Sequence, residues 1–229
     1  MAWENQRKPL VCVCIPHTSN VSLEWASRTY VPLQIPDPRF DKIFQMARGV
    51  PVDLAREQMV DAALTAGASH IFFIDSDEII EPPLNVNDAV AAFLELNQPI
   101  ISGLYRAKQR PNPGQTLGDA AALMGFNYAI WQKVQGGFTF VLPPQPPTNF
   151  FAVDVTGLGL TLIRREVFEK VSKPWFPWEL GGPSEDFAFY MKAKAADPSY
   201  ICWIYSGVSA SHVGDLKVKV DGSFSTLEV

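Results

Sequence analysis

Cysteine is scarce in this 229-residue chain. Cys12, Cys14 and Cys202 are its only thiols, and no two of them form a C-x-x-C pair. That spacing encodes neither a thiolate zinc site nor a disulfide framework. Cys12 and Cys14 are separated by Val13 in an apolar run, where a strand points both to one face of a sheet, so all three read as reduced core thiols. Long uninterrupted hydrophobic runs are missing as well. Gln135 to Val153 carries no charge, but Pro143, Pro144, Pro146 and Pro147 break it, so it cannot be a spanning helix of about 20 apolar residues. The polar start, Met1 to Lys8, is followed by too short an apolar run for a secretory leader, and the chain is expected to be cytoplasmic. Positive charge is in deficit: 19 Lys and Arg against 24 Asp and Glu leave a net charge of −5, which argues against a nucleic-acid partner. No internal repeat is present.

With 47% hydrophobic and 19% charged residues the composition is that of a folded chain, and its length fits a single α/β-sized domain. The 19 prolines cluster between apolar segments and predict long, semi-rigid loops. Leu10 to Ile15, closed by Pro16, and Ile71 to Ile74, closed by acidic residues, read as buried parallel strands. Between them Pro51 to Thr65 places Leu54, Ala55, Met59, Ala62 and Ala63 at helical spacing, with Pro51 tolerable in a first turn. The alternation continues with a helix near Val86 to Leu96, strands at Ile100 to Tyr105 and Leu160 to Arg164, and helices at Arg165 to Val171 and Glu185 to Ala196. Such alternation predicts an α/β sheet with ligands at the carboxyl ends of its strands. Arg106 to Phe151, rich in Gly, Gln and Pro, breaks the pattern and predicts an excursion or small β subdomain.

The sharpest chemical feature is His70-Ile71-Phe72-Phe73-Ile74-Asp75-Ser76-Asp77-Glu78, an apolar strand delivering a D-x-D pair to its carboxyl end. Bringing Asp75 and Asp77 together costs Coulomb repulsion, which a hard divalent cation such as Mg²⁺ or Mn²⁺ removes. A solvated acidic turn is the plainer explanation of the same residues. Pro183-Ser184-Glu185-Asp186 likewise has two readings. Ser184 suits a helix cap with acidic residues complementing the helix dipole, or one carboxylate acts as a general base. Arg56, one turn into its helix, is either a cation for phosphates or a surface arginine, and Arg48 is a second candidate. Gly157 and Gly159 permit close backbone approach or simply form a turn. Trp175, Phe176 and Trp178, with Gly181-Gly182 behind them as a hinge, form either a sugar-stacking loop or part of the core. His212 follows the apolar segment Ile201 to Val208 as a ligand or a surface-loop histidine. Phe187, Tyr190, Met191 and Lys194 continue the last helix as a mostly apolar stripe.

The order of these pieces resembles the GT-A glycosyltransferases, family 2-like members of the nucleotide-diphospho-sugar transferase superfamily. The resemblance runs from an early strand ending in Pro16-His17, through Ala55-Arg56, Ala66-Gly67-Ala68 and Phe72 to Asp77. It continues through Gly157-Leu158-Gly159, Pro174-Trp175-Phe176 and Ser184-Glu185-Asp186 to Ser211-His212-Val213-Gly214. It implies a Rossmann-like mixed sheet flanked by helices in one catalytic domain over 1–229. Within it, 8–105 would be the nucleotide-binding half, 106–151 a loop-rich excursion, 152–215 the acceptor and catalytic half, and 216–229 a tail. The implied donor is a UDP- or GDP-linked sugar held by Pro16, His17, Arg56, Asp75, Ser76, Gly157 and Gly159. Asp75, Asp77 and His212 would hold the metal, with Asp77 as direct ligand, and an imidazole donor favours Mn²⁺ over Mg²⁺. Asp186, or failing that Glu185, would deprotonate an acceptor hydroxyl positioned by Trp175 and Trp178.

Two other enzyme classes and one non-enzyme reading stay open at this point. A haloacid-dehalogenase-like phosphatase would use Asp75 as nucleophile and Asp77 as acid/base, with Gly214-Asp215 and Asp221 as its later acidic motif. However, that D-x-D usually lies on the first strand, and Ile79 stands where Thr or Val is expected. A nucleotidyltransferase would want a Gly-rich phosphate loop that the first strand lacks. A non-catalytic sugar-binding protein would have no use for Asp75, Asp77, Glu185, Asp186 and His212 together.

Overall fold

The computed structural model describes residues 8–17, 21–107, 128–144, 149–178, 182–213, 216–218 and 224–226. Strand β1 (Leu10–His17) leads through a helical stretch over residues 23–34 (α1), whose middle turn Ala26–Tyr30 is π-helical, to β2 (Asp41–Arg48). Helix α2 (Val52–Thr65), β3 (His70–Ile74), β4 (Glu78–Ile80), α3 (Val86–Leu96) and β5 (Ile100–Tyr105) follow. The second half comprises β6 (Ile130–Val134), β7 (Gly137–Phe140), β8 (Phe150–Val153), β9 (Val155–Thr156) and β10 (Leu160–Arg164). Then come α4 (Arg165–Lys170), α5 (Glu185–Ala196), β11 (Cys202–Val213), β12 (Leu216–Val218) and β13 (Phe224–Thr226).

The main sheet runs β13-β12-β11-β5-β10-β3-β1-β2, with β4 and β8 also pairing with β11. It is mixed. β1 is parallel to β2 and β3, β11 is parallel to β5, and β10 is antiparallel to both β3 and β5. A smaller sheet, β7-β6-β9, stands apart. This is the α/β architecture of a mixed sheet flanked by helices that the alternation and the resemblance imply.

Burial on both faces explains why β1 and β3 read as unbroken apolar runs. One face of β1 sends Cys12 and Cys14, their sulfurs 3.8 Å apart, into a core shared with Ala55, Met59 and Ala63 of α2. All three cysteines are free and buried. The other face sends Val11, Val13 and Ile15 toward Val86, Ala89, Val90 and Phe93 of α3. Helix α3 opens on a capping box between Asn85 and Asp88 and closes on Asn97, whose φ of 53° is left-handed.

Two strand directions place the chemistry. Because β10 is antiparallel to β3, with Leu160 opposite Ile74, the Gly157–Gly159 turn lies beside the acidic carboxyl end of β3. Because β4 is antiparallel to β11, His212 lies opposite Glu78. The expected excursion contributes β6 and β7 of the small sheet and β8 of the main one, while residues 108–127 and 145–148 lie outside the described residues. Strand β2, which the sequence pattern does not reveal, pairs along the whole of β1 at the sheet edge. Its sequence, DKIFQMAR, has charged ends and no fully buried position, so the alternation that marks a half-buried strand is absent. Among the described residues no helix is long and apolar enough to cross a membrane.

Candidate functional site

The turn after β3 is tied down on three sides. Asp75 N–H donates to Gly159 O at 2.9 Å and Glu78 N–H to Asp75 O at 3.1 Å. The buried indole of Trp25 donates to the same Asp75 carbonyl at 3.1 Å. Asp77 is thereby presented to His212, whose Nε2 lies 3.3 Å from Asp77 Oδ2. His212 Nδ1 lies 3.1 Å from Arg106 O and 3.4 Å from Glu78 Oε1. A carbonyl only accepts, so Nδ1 carries a hydrogen and Nε2 is the nitrogen turned toward Asp77, which is the orientation of a ligating histidine held from behind.

One ligand atom each from Asp77, Glu78 and His212 lies within 4.8 Å of the others. Two carboxylates and an oriented imidazole suit Mn²⁺ or Mg²⁺, the nitrogen favouring Mn²⁺. Burial pushes the His212 imidazole down, but Glu78 and Asp77 outweigh it and bring its pKa up to about 9. In place of Asp75, which the D-x-D reading assigned to the metal, this cluster contains Glu78. Its residue is 1% exposed, and only the β4–β11 register brings it to the histidine.

Asp75 faces a different partner. Arg56, 3% exposed, approaches Asp75 Oδ1 and Oδ2 at 3.2 and 3.4 Å through Nη2 and donates to Glu185 Oε1 through Nη1. Burial alone would lower the Arg56 pKa, yet Asp75 and Glu185 raise it, so the guanidinium stays charged. Burial likewise pushes the Asp75 and Glu185 carboxyls up while Arg56 pulls them down. Arg56 is thus not a surface arginine, and its two terminal nitrogens, Nη1 and Nη2, are both engaged by protein carboxylates. It bridges the end of β3 to the start of α5. The phosphatase reading requires Asp75 to attack phosphorus, and here both its oxygens are turned to Arg56. Gly214, Asp215 and Asp221 of that reading lie outside the described residues.

The two acids of α5 therefore separate. Glu185 is spent on Arg56. Asp186 Oδ1 accepts from the Ser184 hydroxyl and from Phe187 N–H at 2.8 Å, while Oδ2 lies 3.8 Å from the position a Cβ on Gly157 would take. The Ser184 hydroxyl serves Asp186, so this N-cap residue makes no side-chain cap bond to the helix it opens.

Both glycines of the β9–β10 turn make room for protein groups. A Cβ on Gly157 would come within 2.3 Å of Tyr105 Oη, and one on Gly159 within 2.9 Å of Asp75 Oδ2. Tyr105, 5% exposed at the end of β5, does not stand out in the sequence because an aromatic closing an apolar run reads as core. Burial, reinforced by Glu78, Asp75 and Asp186, holds its phenol well above the usual range, so it stays a neutral hydroxyl.

These groups surround a cleft of about 390 Å³. Arg56, Asp75, Glu78, Glu185, Asp186 and His212 line its polar side, and Tyr105, Trp131 and Phe140 its aromatic side. Trp175 corrects the expectation of a sugar-stacking loop. It is 3% exposed, its Nε1 donates to Phe168 O and Val171 O at 3.0 and 2.9 Å, and its ring meets Phe168 edge-on at 5.6 Å. An indole this buried, with its only donor satisfied by backbone, offers no face to a ligand. Trp178 is 56% exposed but does not line the cleft, and Gly181 of the proposed hinge lies outside the described residues. Pro16 and His17 close β1 beside Ala47 and the exposed Arg48. Neither they nor Ser76 line the cleft. Of the helical stripe, Tyr190 is buried, Phe187 half-buried, and Met191 and Lys194 exposed.

No family model matches the chain, and no curated protein does. Among solved structures, the crystal structure of A197 from STIV superposes with a TM-score of 0.63 at 19% identity, covering 96% of this chain and 95% of that one. Fainter likenesses include CMP:2-keto-3-deoxy-manno-octonic acid synthetase complexed with CTP, with a TM-score of 0.43 at 14% identity over 88% of this chain and 90% of that one. UDP-glucose pyrophosphorylase complexed with UDP-glucose gives 0.44 at 11% identity over 80% of this chain and 62% of that one. The likeness to A197 extends over nearly the whole of both chains and establishes a shared fold.

Proposed function

We propose that this chain is a metal-dependent transferase of the GT-A type that moves a sugar from a UDP- or GDP-linked donor to an acceptor hydroxyl. The observation that carries the reading is the pairing of an Asp77–Glu78–His212 cation site, whose Glu78 and His212 line the cleft, with a separate carboxylate in that cleft, Asp186, while Arg56 pairs with two further acids, Asp75 and Glu185. Asp77, Glu78 and His212 would hold Mn²⁺ or Mg²⁺, which supplies Lewis-acid stabilisation of a departing diphosphate. Asp186 keeps Oδ1 fixed by Ser184 and Phe187 and offers Oδ2 to accept the proton of the attacking hydroxyl. Arg56 holds Asp75 and Glu185 in place, and Tyr105 lends a neutral hydroxyl to the cleft wall.

A thermal-shift series with UDP, GDP and CDP, each with and without Mn²⁺, tests the reading. A ligand that binds only the folded chain raises its melting temperature. UDP or GDP is expected to do so only when Mn²⁺ is present. Stabilisation that persists in chelator, or none with any nucleotide, would count against it.

A further inference from the structure

We infer that Trp131 and Phe140 form a stacking platform for the ring of an uncharged sugar, the acceptor whose hydroxyl proton Asp186 receives. This inference rests on the transferase reading above and adds the class of acceptor. Trp131 and Phe140 are directly opposed on β6 and β7, with ring centroids 5.0 Å apart and planes inclined by 37°. Both line the cleft that contains Asp186, and Phe140 is 38% exposed. The platform is held from behind: Phe187 meets Trp131 edge-on at 4.9 Å, and Phe138 meets Phe187 edge-on at 5.0 Å.

Phe187 directly follows Asp186 on α5, so the ring that braces the platform and the carboxylate facing the cleft are adjacent in one helix turn. Strand β9 pairs with β6, setting Trp131 opposite Val155, and then runs into the Gly157–Gly159 turn that packs on Tyr105 and Asp75. The aromatic wall and the acidic floor are therefore parts of one frame. A ligand held by both must be apolar on one face and hydroxylated at its edge, which describes a pyranose ring.

Charge selects among such rings. Asp75, Asp77, Glu78, Glu185 and Asp186 outnumber the cations Arg56 and His212 around this site, and a bound divalent cation would be matched by the donor's diphosphate. The field beside Asp186 stays negative, so a phosphorylated or carboxylated acceptor is repelled and a neutral glycoside is not.

Saturation-transfer NMR on the full chain tests this, with methyl β-glucoside, methyl β-galactoside and methyl α-mannoside as neutral probes and glucose 6-phosphate as the anionic one. Transfer to the ring C–H protons of at least one neutral probe is expected, with none to the phosphate. Trp131→Ala and Phe140→Ser should each reduce that signal roughly fivefold, the scale of a lost aromatic contact. Trp131→Tyr should retain it, and so should Trp178→Ala. Should Trp131→Ala fail to fold, the more exposed Phe140→Ser decides alone. The inference is overturned if no neutral probe shows transfer, if glucose 6-phosphate matches it, or if the signal survives Phe140→Ser or disappears in Trp178→Ala. Nucleotide stabilisation, measured separately, distinguishes the failures: glycosides that do not bind while nucleotides do would overturn the platform and leave the transferase reading standing.

Discussion

Arg56 and Glu185, 129 positions apart in sequence, form a buried ion pair that ties helix α2 to the start of α5. The same guanidinium reaches Asp75 at 3.2 Å, so a single cation sets the spacing between the acidic end of β3 and the acids of α5. Removing one member of a buried pair strands the other charge. Arg56→Met, which keeps much of the volume, should lower stability by about 3–5 kcal/mol. Urea denaturation measures this, and a change under about 1 kcal/mol would show that the cluster does not depend on its cation.

The division of labour on α5 predicts different phenotypes for neighbouring acids. Asp186→Asn should fold normally and lower turnover by roughly 10²- to 10⁴-fold, the range of a lost general base. Glu185→Gln should mainly lower the melting temperature, because its carboxylate is committed to Arg56. If the turnover loss follows Glu185 instead, the roles are reversed.

Gly157 is required by a specific oxygen. In Gly157→Ala the new methyl would meet Tyr105 Oη at 2.3 Å, whereas the next ring atom, Cζ, lies at 3.4 Å. The substitution should cost about 1–3 kcal/mol through overpacking, and Tyr105→Phe should restore most of that loss in the double variant. Purely additive effects in the double-mutant cycle would place the constraint elsewhere.

Much of this fold is legible in the sequence wherever burial is local. The runs that become β1, β3, β5 and β10 are apolar on both faces, and helices α2, α3 and α5 carry the expected spacing. The stretch over 23–34 escapes because Pro32 falls within it, and β2 escapes because the edge of a sheet imposes no alternation. At the site, Arg56, Asp75, Asp77, Asp186 and His212 stand out by residue type. Glu78, Tyr105, Trp131 and Phe140 do not, because strand pairings between distant segments bring them to the cleft. Trp175 misleads in the opposite sense: its Pro-rich surroundings suggest a surface loop, while its indole completes a cluster with Phe168, Phe176 and Phe189.

His70 should give the fold a pH dependence of its own. Burial, aided by Arg164, lowers its pKa to about 4, and the Ser69 hydroxyl, donating to Leu10 O, faces its Nδ1 at 3.0 Å as an acceptor. The unfolded chain takes up a proton at this residue near pH 6.5, before the folded chain does. Stability contributed here is complete above about pH 6.5 and is lost as pH falls toward 4. Denaturation midpoints from pH 7 to 4 should fall less steeply for His70→Gln than for the native chain. Identical slopes would mean that His70 takes up its proton in the folded chain as readily as in the unfolded one.

The central claim is that Asp77, Glu78 and His212 bind the cation on which the donor's diphosphate depends. Calorimetric titration of UDP and GDP into the native chain, Asp77→Asn and His212→Ala, each with Mn²⁺ and with chelator, tests it most directly. Binding that needs Mn²⁺ in the native chain and weakens about tenfold or more in both variants, with folding retained, is the predicted result. Equal nucleotide affinity with and without the metal, or full affinity in Asp77→Asn, would contradict it.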